Sequence, residues 1–234
     1  MCSGVGEVLV CDFSIILSDS ARARSYIQQL CAHSLFPKEI LLMPGEWTPP
    51  ENVVSSEQVH FDVRKPVQET VKEYNLEVIP CQTQDINSED TVKKIKDSSG
   101  KFVVLAGGGG QILKKEILSQ GVPILHIHPG LVPQFKGSTT IYYSILAEGK
   151  VGASAFFVNE QIDEGPVILK REFDLPRGIN LDYVFDPEIR GLTLIDAIKQ
   201  LTMDMTVEKQ IGGSNFLPYF IIHPVLKTIA LLKL

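Results

Sequence analysis

Cysteine is scarce in this 234-residue chain, and the four present (Cys2, Cys11, Cys31 and Cys81) form no Cys-x-x-Cys pair and no periodic spacing. A cysteine metal site and a disulfide framework are both poorly supported, so buried free thiols in a reducing compartment are expected. Basic patches are equally thin. Arg64-Lys65 and Lys93-Lys94-Ile95-Lys96 are short and sit beside Asp62 and Asp97, within a formal net charge of −6. Binding along a polyanion needs a cationic stripe, so no nucleic-acid partner is expected. The N-terminus lacks a basic segment followed by an apolar run, so no secretory signal is expected. The one apolar stretch of near-membrane length, Phe216 to Leu234, is interrupted by Pro218, His223, Pro224, Lys227 and Lys233. A spanning helix needs about 20 mostly apolar residues. That stretch reads as a packed tail or a homodimer contact, and the chain as soluble and cytoplasmic, with no membrane partner.

What is present is ordinary globular composition, with 44% apolar and 21% charged residues, enough to bury one full-sized core. The expectation is a single domain over residues 1–234, with 207–234 as a C-terminal extension. Short apolar runs at Val8 to Val10, Phe13 to Leu17, Ile40 to Met43 and Val78 to Pro80 read as strands, as do Phe102 to Leu105, Val122 to Ile127 and Ala153 to Val158. Val167 to Phe173 reads as a further, antiparallel strand. Helices are predicted over Ala21 to Ala32, Pro66 to Tyr74, Thr91 to Lys96, Ile112 to Ser119, Ser138 to Glu148 and Leu192 to Thr206. Glu46 to Glu57 reads as a surface loop, and Gly212-Gly213 as a break before the tail. This alternation predicts an open, largely parallel α/β sheet. Such sheets bind ligands beyond the carboxyl ends of their strands, where Gly107 to Gly110 and His126 to His128 fall.

His126 and His128 are two apart on a strand, so extended backbone points both to one face. Such a pair can hold a metal. The other histidines (His33, His60 and His223) sit in no promising motif, and a zinc site needs about three protein ligands plus an open position. No metal is expected. Taken alone, His128 could simply brace a turn, and Asp163 before Gly165-Pro166 could bond its own backbone. The functional alternative pairs them, with Asp163 orienting His128 or accepting its proton. Trp47, Tyr142 and Tyr143 read as packing residues. Arg190 is structural or substrate-facing without preference.

The segments ILHIHPGLVPQFKGSTT (from Ile124) and GASAFFVNEQIDEGPVIL (from Gly152) resemble the catalytic core of the folate-dependent formyltransferases. That pattern is Asn-x-His-Pro, then a Pro and an Arg/Lys-Gly in the following loop, then Asp-x-Gly. GGGGQILKKEIL (from Gly107) resembles the turn that lines the folate pocket. The resemblance implies a Rossmann-like fold and transfer of a formyl group from 10-formyltetrahydrofolate to an amine. It implies catalytic roles for His126, His128 and Asp163. Folate contacts are implied at Gly110, Gln111, Ile112, Leu113, Asn159, Glu160, Gln161 and Ile162, and substrate contacts at Lys136 and Gly137.

One departure matters, because the family asparagine is His126 here. Asparagine offers an amide donor to the developing oxyanion; histidine can also donate, with different reach and protonation. Replacement of that donor is the expectation. The glycine-rich phosphate loop of the glycinamide ribonucleotide members is replaced by Leu17-Ser18-Asp19-Ser20-Ala21, where Asp19 opposes an anion at the helix N-terminus. A basic face for tRNA is missing. The acceptor expected is a small amine, an amino sugar or nucleotide-linked amino sugar. Two rival readings remain: a formyl-group hydrolase with water as acceptor, and a non-catalytic folate-binding relative.

Overall fold

The computed structural model describes residues 10–53, 58–203 and 216–234. Cys2, Val8, Leu9, the end of the loop to Glu57, Thr206 and Gly212-Gly213 lie outside them. Seven strands form one sheet: β1 (Val10–Leu17), β2 (Phe36–Leu42), β3 (Val78–Pro80), β4 (Val103–Ala106), β5 (Ile124–His128), β6 (Val151–Phe157) and β7 (Val167–Phe173), in the order β3-β2-β1-β4-β5-β6-β7. The five strands from β3 to β5 pair in parallel, and β6 and β7 add antiparallel. The order of strands across the sheet reverses between β1 and β4, the crevice where open α/β sheets take ligands.

Helices cover both faces: α1 (Ala21–Ala32), α2 (Val67–Glu73), α3 (Glu89–Lys96), α4 (Lys115–Leu118), α5 (Thr140–Glu148), α6 (Asp186–Met203) and α7 (Pro224–Leu231). Helix α1 has the predicted bounds. Ser20 caps it by accepting from the Ala23 amide, and Tyr26, Ile27 and Leu30 enter the core. Ser88 caps α3 in the same way through Thr91. Strand β2 starts earlier than its apolar run because Pro37 is buried with Ile40 against the neighbouring strands. Among the described residues no helix is long and apolar enough to cross a membrane, and Cys11, Cys31 and Cys81 are buried and form no disulfide.

Two helices depart from expectation. The one predicted over Ile112 to Ser119 shrinks to α4, because a neighbouring loop claims the preceding backbone. Asn87 accepts from the Lys114 amide at 2.8 Å and donates to the Ile112 carbonyl at 3.1 Å. Helix α6 joins the helix start that Asp186 to Arg190 offers and the helix predicted from Leu192 into one element, after a π-helical segment Leu181–Phe185 whose start is capped by Asn180. Gly191 sits at the join. A Cβ there would lie 2.3 Å from Gln29 Nε2 on α1, so only glycine lets the two helices close.

The β1–α1 turn is fixed from within. Arg24 and Asp19 are both almost fully buried and 2.6 Å apart. The guanidinium also donates to the Val63 carbonyl at 2.8 Å and the Trp47 carbonyl at 2.5 Å, while Asp19 accepts from the Trp47 amide at 3.2 Å. Asp19 therefore does not oppose an anion as the sequence implied: its charge is matched by Arg24 and spent on the loop after β2. The apolar tail divides, with Ile222 and Ala230 buried and Phe220, Ile221 and Leu232 exposed. Removing one member of a buried ion pair leaves the other charge unmatched, at a cost of about 3–5 kcal/mol. Asp19→Ala should lower unfolding free energy by that amount in urea titrations; a loss within the error of the fit would show that the pair does not hold the turn.

Candidate active site

Strand β5 ends on His126-Ile127-His128, and its antiparallel register sets His126 opposite Phe156 and His128 opposite Ser154. The two imidazoles share a face, with ring centroids 6.2 Å apart. The segment that follows folds back over His128. Its Nε2 lies 2.7 Å from the Phe135 carbonyl and 3.1 Å from Thr140 Oγ1, whose own proton goes to the Pro129 carbonyl at 2.8 Å. A carbonyl can only accept, so Nε2 carries the hydrogen and, in the neutral ring, Nδ1 carries the lone pair.

Asp163 arrives from the β6–β7 loop with φ 53°, a left-handed conformation that aspartate tolerates better than most residues. Its Oδ2 accepts from the Gly137 amide at 2.7 Å and lies 3.5 Å from His128 Nδ1. The pairing expected from sequence is thus realised, and the turn reading of Asp163 gives way to a tertiary one. Burial lowers the His128 pKa from the ordinary histidine value, with Asp163 pulling the other way. Burial also pushes His126 well down, helped by the charges of Arg190 and Arg22 and by His128. Both rings are held toward their neutral forms.

His126 and Asp163 open onto a cavity of about 180 Å³. Gln111, Ile112 and Leu113 form one wall, Asn159, Glu160, Gln161 and Ile162 the other, with Leu105, Phe156 and Val158 between them. These are the positions implied as folate contacts, apart from Gly110, which turns the chain at φ 78° without lining the cavity. Lys136 and Gly137, implied as substrate contacts, have other tasks. Lys136 is buried and paired with Glu164, and Gly137 gives its amide to Asp163.

Arg190, read from sequence as structural or substrate-facing, is buried and donates Nε to the Ile127 carbonyl at 2.9 Å, between the two histidines. Sequence reasoning missed Tyr219 and Arg22. Tyr219 bonds the backbone on both sides of Gly137, from its amide to the Lys136 carbonyl and from its carbonyl to the Ser138 amide, each at 2.8 Å. Its ring stacks on Tyr143 with centroids 4.2 Å apart. Arg22 joins Arg190, Asp182, Tyr183 and Trp47 around a second hollow of about 240 Å³.

Among the described residues one ligating atom each from His126, His128 and Asp163 lies within 4.8 Å of the others.

Gly130 is the tightest point of the loop over His128. A Cβ there would stand 2.5 Å from the Phe135 carbonyl oxygen and 3.0 Å from His128 Nε2. Gly130→Ala should cost about 1–3 kcal/mol through overpacking and loosen the imidazole. In ¹⁵N-detected spectra of the histidine ring the protonated nitrogen should no longer be confined to Nε2; an unaltered ring signature would contradict the constraint.

A family model described as "Formyl transferase" matches residues 49–178. The chain is 27% identical over 176 residues to the methionyl-tRNA formyltransferase of a Nitratiruptor species, covering 74% of this chain and 53% of that protein. It is 31% identical over 124 residues to the methionyl-tRNA formyltransferase of Clostridioides difficile (strain 630), covering 52% of this chain and 39% of that one. The chain thus spans about half the length, or less, of these curated relatives. In fold it is similar to a sugar N-formyltransferase from Shewanella sp FDAARGOS_354, with TM-score 0.58, 20% identity, and 94% and 87% of the two chains covered. It is also similar to phosphoribosylglycinamide formyltransferase from Anaplasma phagocytophilum, with TM-score 0.59, 16% identity, and 91% and 99% covered. With its mostly parallel sheet and its histidine–aspartate pair at a strand terminus, the chain belongs to the formyl transferase family.

Proposed function

We infer that the protein moves a formyl group from 10-formyltetrahydrofolate to a small amine, an amino sugar or nucleotide-linked amino sugar. The observation that carries this reading is the approach of His128 Nδ1 to Asp163 Oδ2, 3.5 Å apart, at the wall of the cavity. Family membership supports the formyl chemistry and the folate donor. Residues 1–234 are taken as one unit, a view favoured by the contact of Tyr219 with the loop at Gly137.

In this reading the amine nitrogen attacks the formyl carbon and the carbonyl electrons move to oxygen. His128 Nδ1 holds the lone pair that takes the proton the nitrogen must lose, and Asp163 beside it stabilises the imidazolium so formed. The C–N bond to the folate then breaks as the carbonyl re-forms, and the departing nitrogen receives a proton. Neutral His128 has given its only N–H to Phe135, so it cannot also donate to the oxyanion. The donor role falls to His126, whose Nδ1 is buried without a hydrogen-bond partner.

The acceptor is assigned to the second hollow. Its two guanidiniums, Arg22 and Arg190, its carboxylates Asp182 and Asp186, and the Trp47–Tyr183 ring pair at 5.8 Å suit a hydroxylated and charged ring. The fold-level likeness to a sugar N-formyltransferase agrees with that choice. Asp163→Asn should cut release of tetrahydrofolate from 10-formyltetrahydrofolate by about 10²–10⁴ while circular dichroism stays unchanged. Activity equal to the parent in an amino-sugar screen would overturn the assignment, and equal release of formate without any amine would favour the hydrolase.

A further inference from the structure

We propose that His126, His128 and Asp163 together hold a divalent first-row transition ion, zinc or ferrous iron, whose open coordination positions face the cavity. The inference shares its site with the transfer reading and describes an alternative state of it, because an ion on His128 Nδ1 occupies the lone pair that the transfer reading uses as its base. His128 gives Nε2–H to the Phe135 carbonyl at 2.7 Å, the outer bond that fixes the tautomer of a metal-ligating histidine. That bond turns a bare Nδ1 toward Asp163 Oδ2 at 3.5 Å. A lone pair on Nδ1 and a carboxylate oxygen facing one another at that distance can share a cation, either a proton or a metal ion. His126 adds a buried Nδ1 that has no hydrogen-bond partner.

The spacing fits. One ligating atom from each residue lies within 4.8 Å of the others. An ion bound at about 2.0–2.2 Å from each donor accepts donors up to about 4 Å apart, so side-chain shifts under about 1 Å close the set. Two imidazoles and one carboxylate, with remaining positions open, are the donor set suited to zinc or non-haem iron rather than to magnesium or calcium. The set carries one negative charge toward the ion, and the nearby Arg190 is already paired with Asp186 at 3.4 Å. Outer positions are built as well: Thr140 Oγ1 lies 3.1 Å from His128 Nε2, and the Gly137 amide holds Asp163 Oδ2 at 2.7 Å. The family pattern has asparagine where this chain has His126, and the third donor is what this chain adds.

The test reads binding, not turnover. Protein stripped with a chelator is dialysed against Zn²⁺ or anaerobic Co²⁺, and bound metal is measured by elemental analysis and by the Co²⁺ d–d absorption. One equivalent is expected in the parent protein. His126→Asn and Asp163→Asn should each weaken uptake by more than about a hundredfold, the upper end of what loss of an outer partner costs. Circular dichroism and the thermal unfolding midpoint serve as the check that each variant is folded. His33, His60 and His223 remain in both variants, so uptake at those histidines would persist and be recognised. Failure of the folded parent to retain metal, or undiminished uptake by His126→Asn, overturns the proposal. Formyl transfer by stripped protein is scored separately. Metal uptake without transfer would remove the transfer reading alone, and transfer without uptake would remove the metal site alone.

Discussion

The hydrogen bond from His128 Nε2 to the Phe135 carbonyl decides what the rest of the site can do. It uses the only N–H of the neutral ring and so fixes which nitrogen faces Asp163. The loop that makes this bond is itself fastened at several points. Ser154 Oγ donates to the Gly130 carbonyl at 2.7 Å and accepts from the Val132 amide at 3.1 Å. The same loop supplies the Gly137 amide that receives Asp163. A single irregular stretch therefore sets both the tautomer of the base and the position of its carboxylate, and neither can move without the other.

The sheet explains why these parts meet. Parallel strands deliver their carboxyl ends to one edge, so the turns after β1, β4 and β5 crowd together there. Antiparallel pairing carries β6 from the level of His128 to that of Leu125, so the β6–β7 loop starts near the amino end of β5 and runs back over the sheet face to bring Asp163 to His128. Residues far beyond β7 complete the arrangement, because Tyr219 lies alongside the segment around Gly137 as an added strand-like contact. The C-terminal segment is thus part of the support of the site.

What could be read from the residues follows from how local the cause was. The bounds of α1 and the cap at Ser88 rest on neighbours within a turn, and the order of strands and helices rests on apolar periodicity. The walls of the cavity came from resemblance and could be placed because they flank strand ends. The failures are tertiary. Asn87 unwinds the start of the helix expected at Ile112, and Gly191 is kept in a helix by Gln29 on another one. Lys136 has the look of a solvent-facing loop lysine, yet Glu164 draws it inside. Asp19 reads as a bare charge at a helix start until Arg24 is seen to lie against it. No pattern along the chain contains these partners.

His126 is where the chemistry of this chain diverges from the family pattern, and one ring cannot serve two ends through one atom. A neutral imidazole has one N–H and one lone pair. If the nitrogen facing the cavity carries the proton, His126 donates to the formyl oxygen as asparagine would. If it carries the lone pair, the ring can serve as a ligand beside His128 and Asp163, and a bound ion would supply Lewis acidity in place of the N–H. Burial and the guanidiniums of Arg190 and Arg22 exclude the doubly protonated ring, which could donate but never ligate. The surroundings therefore keep His126 in the one charge state from which both roles are reachable. The tautomer then selects between a pocket that works by hydrogen bonding and one that works through a metal.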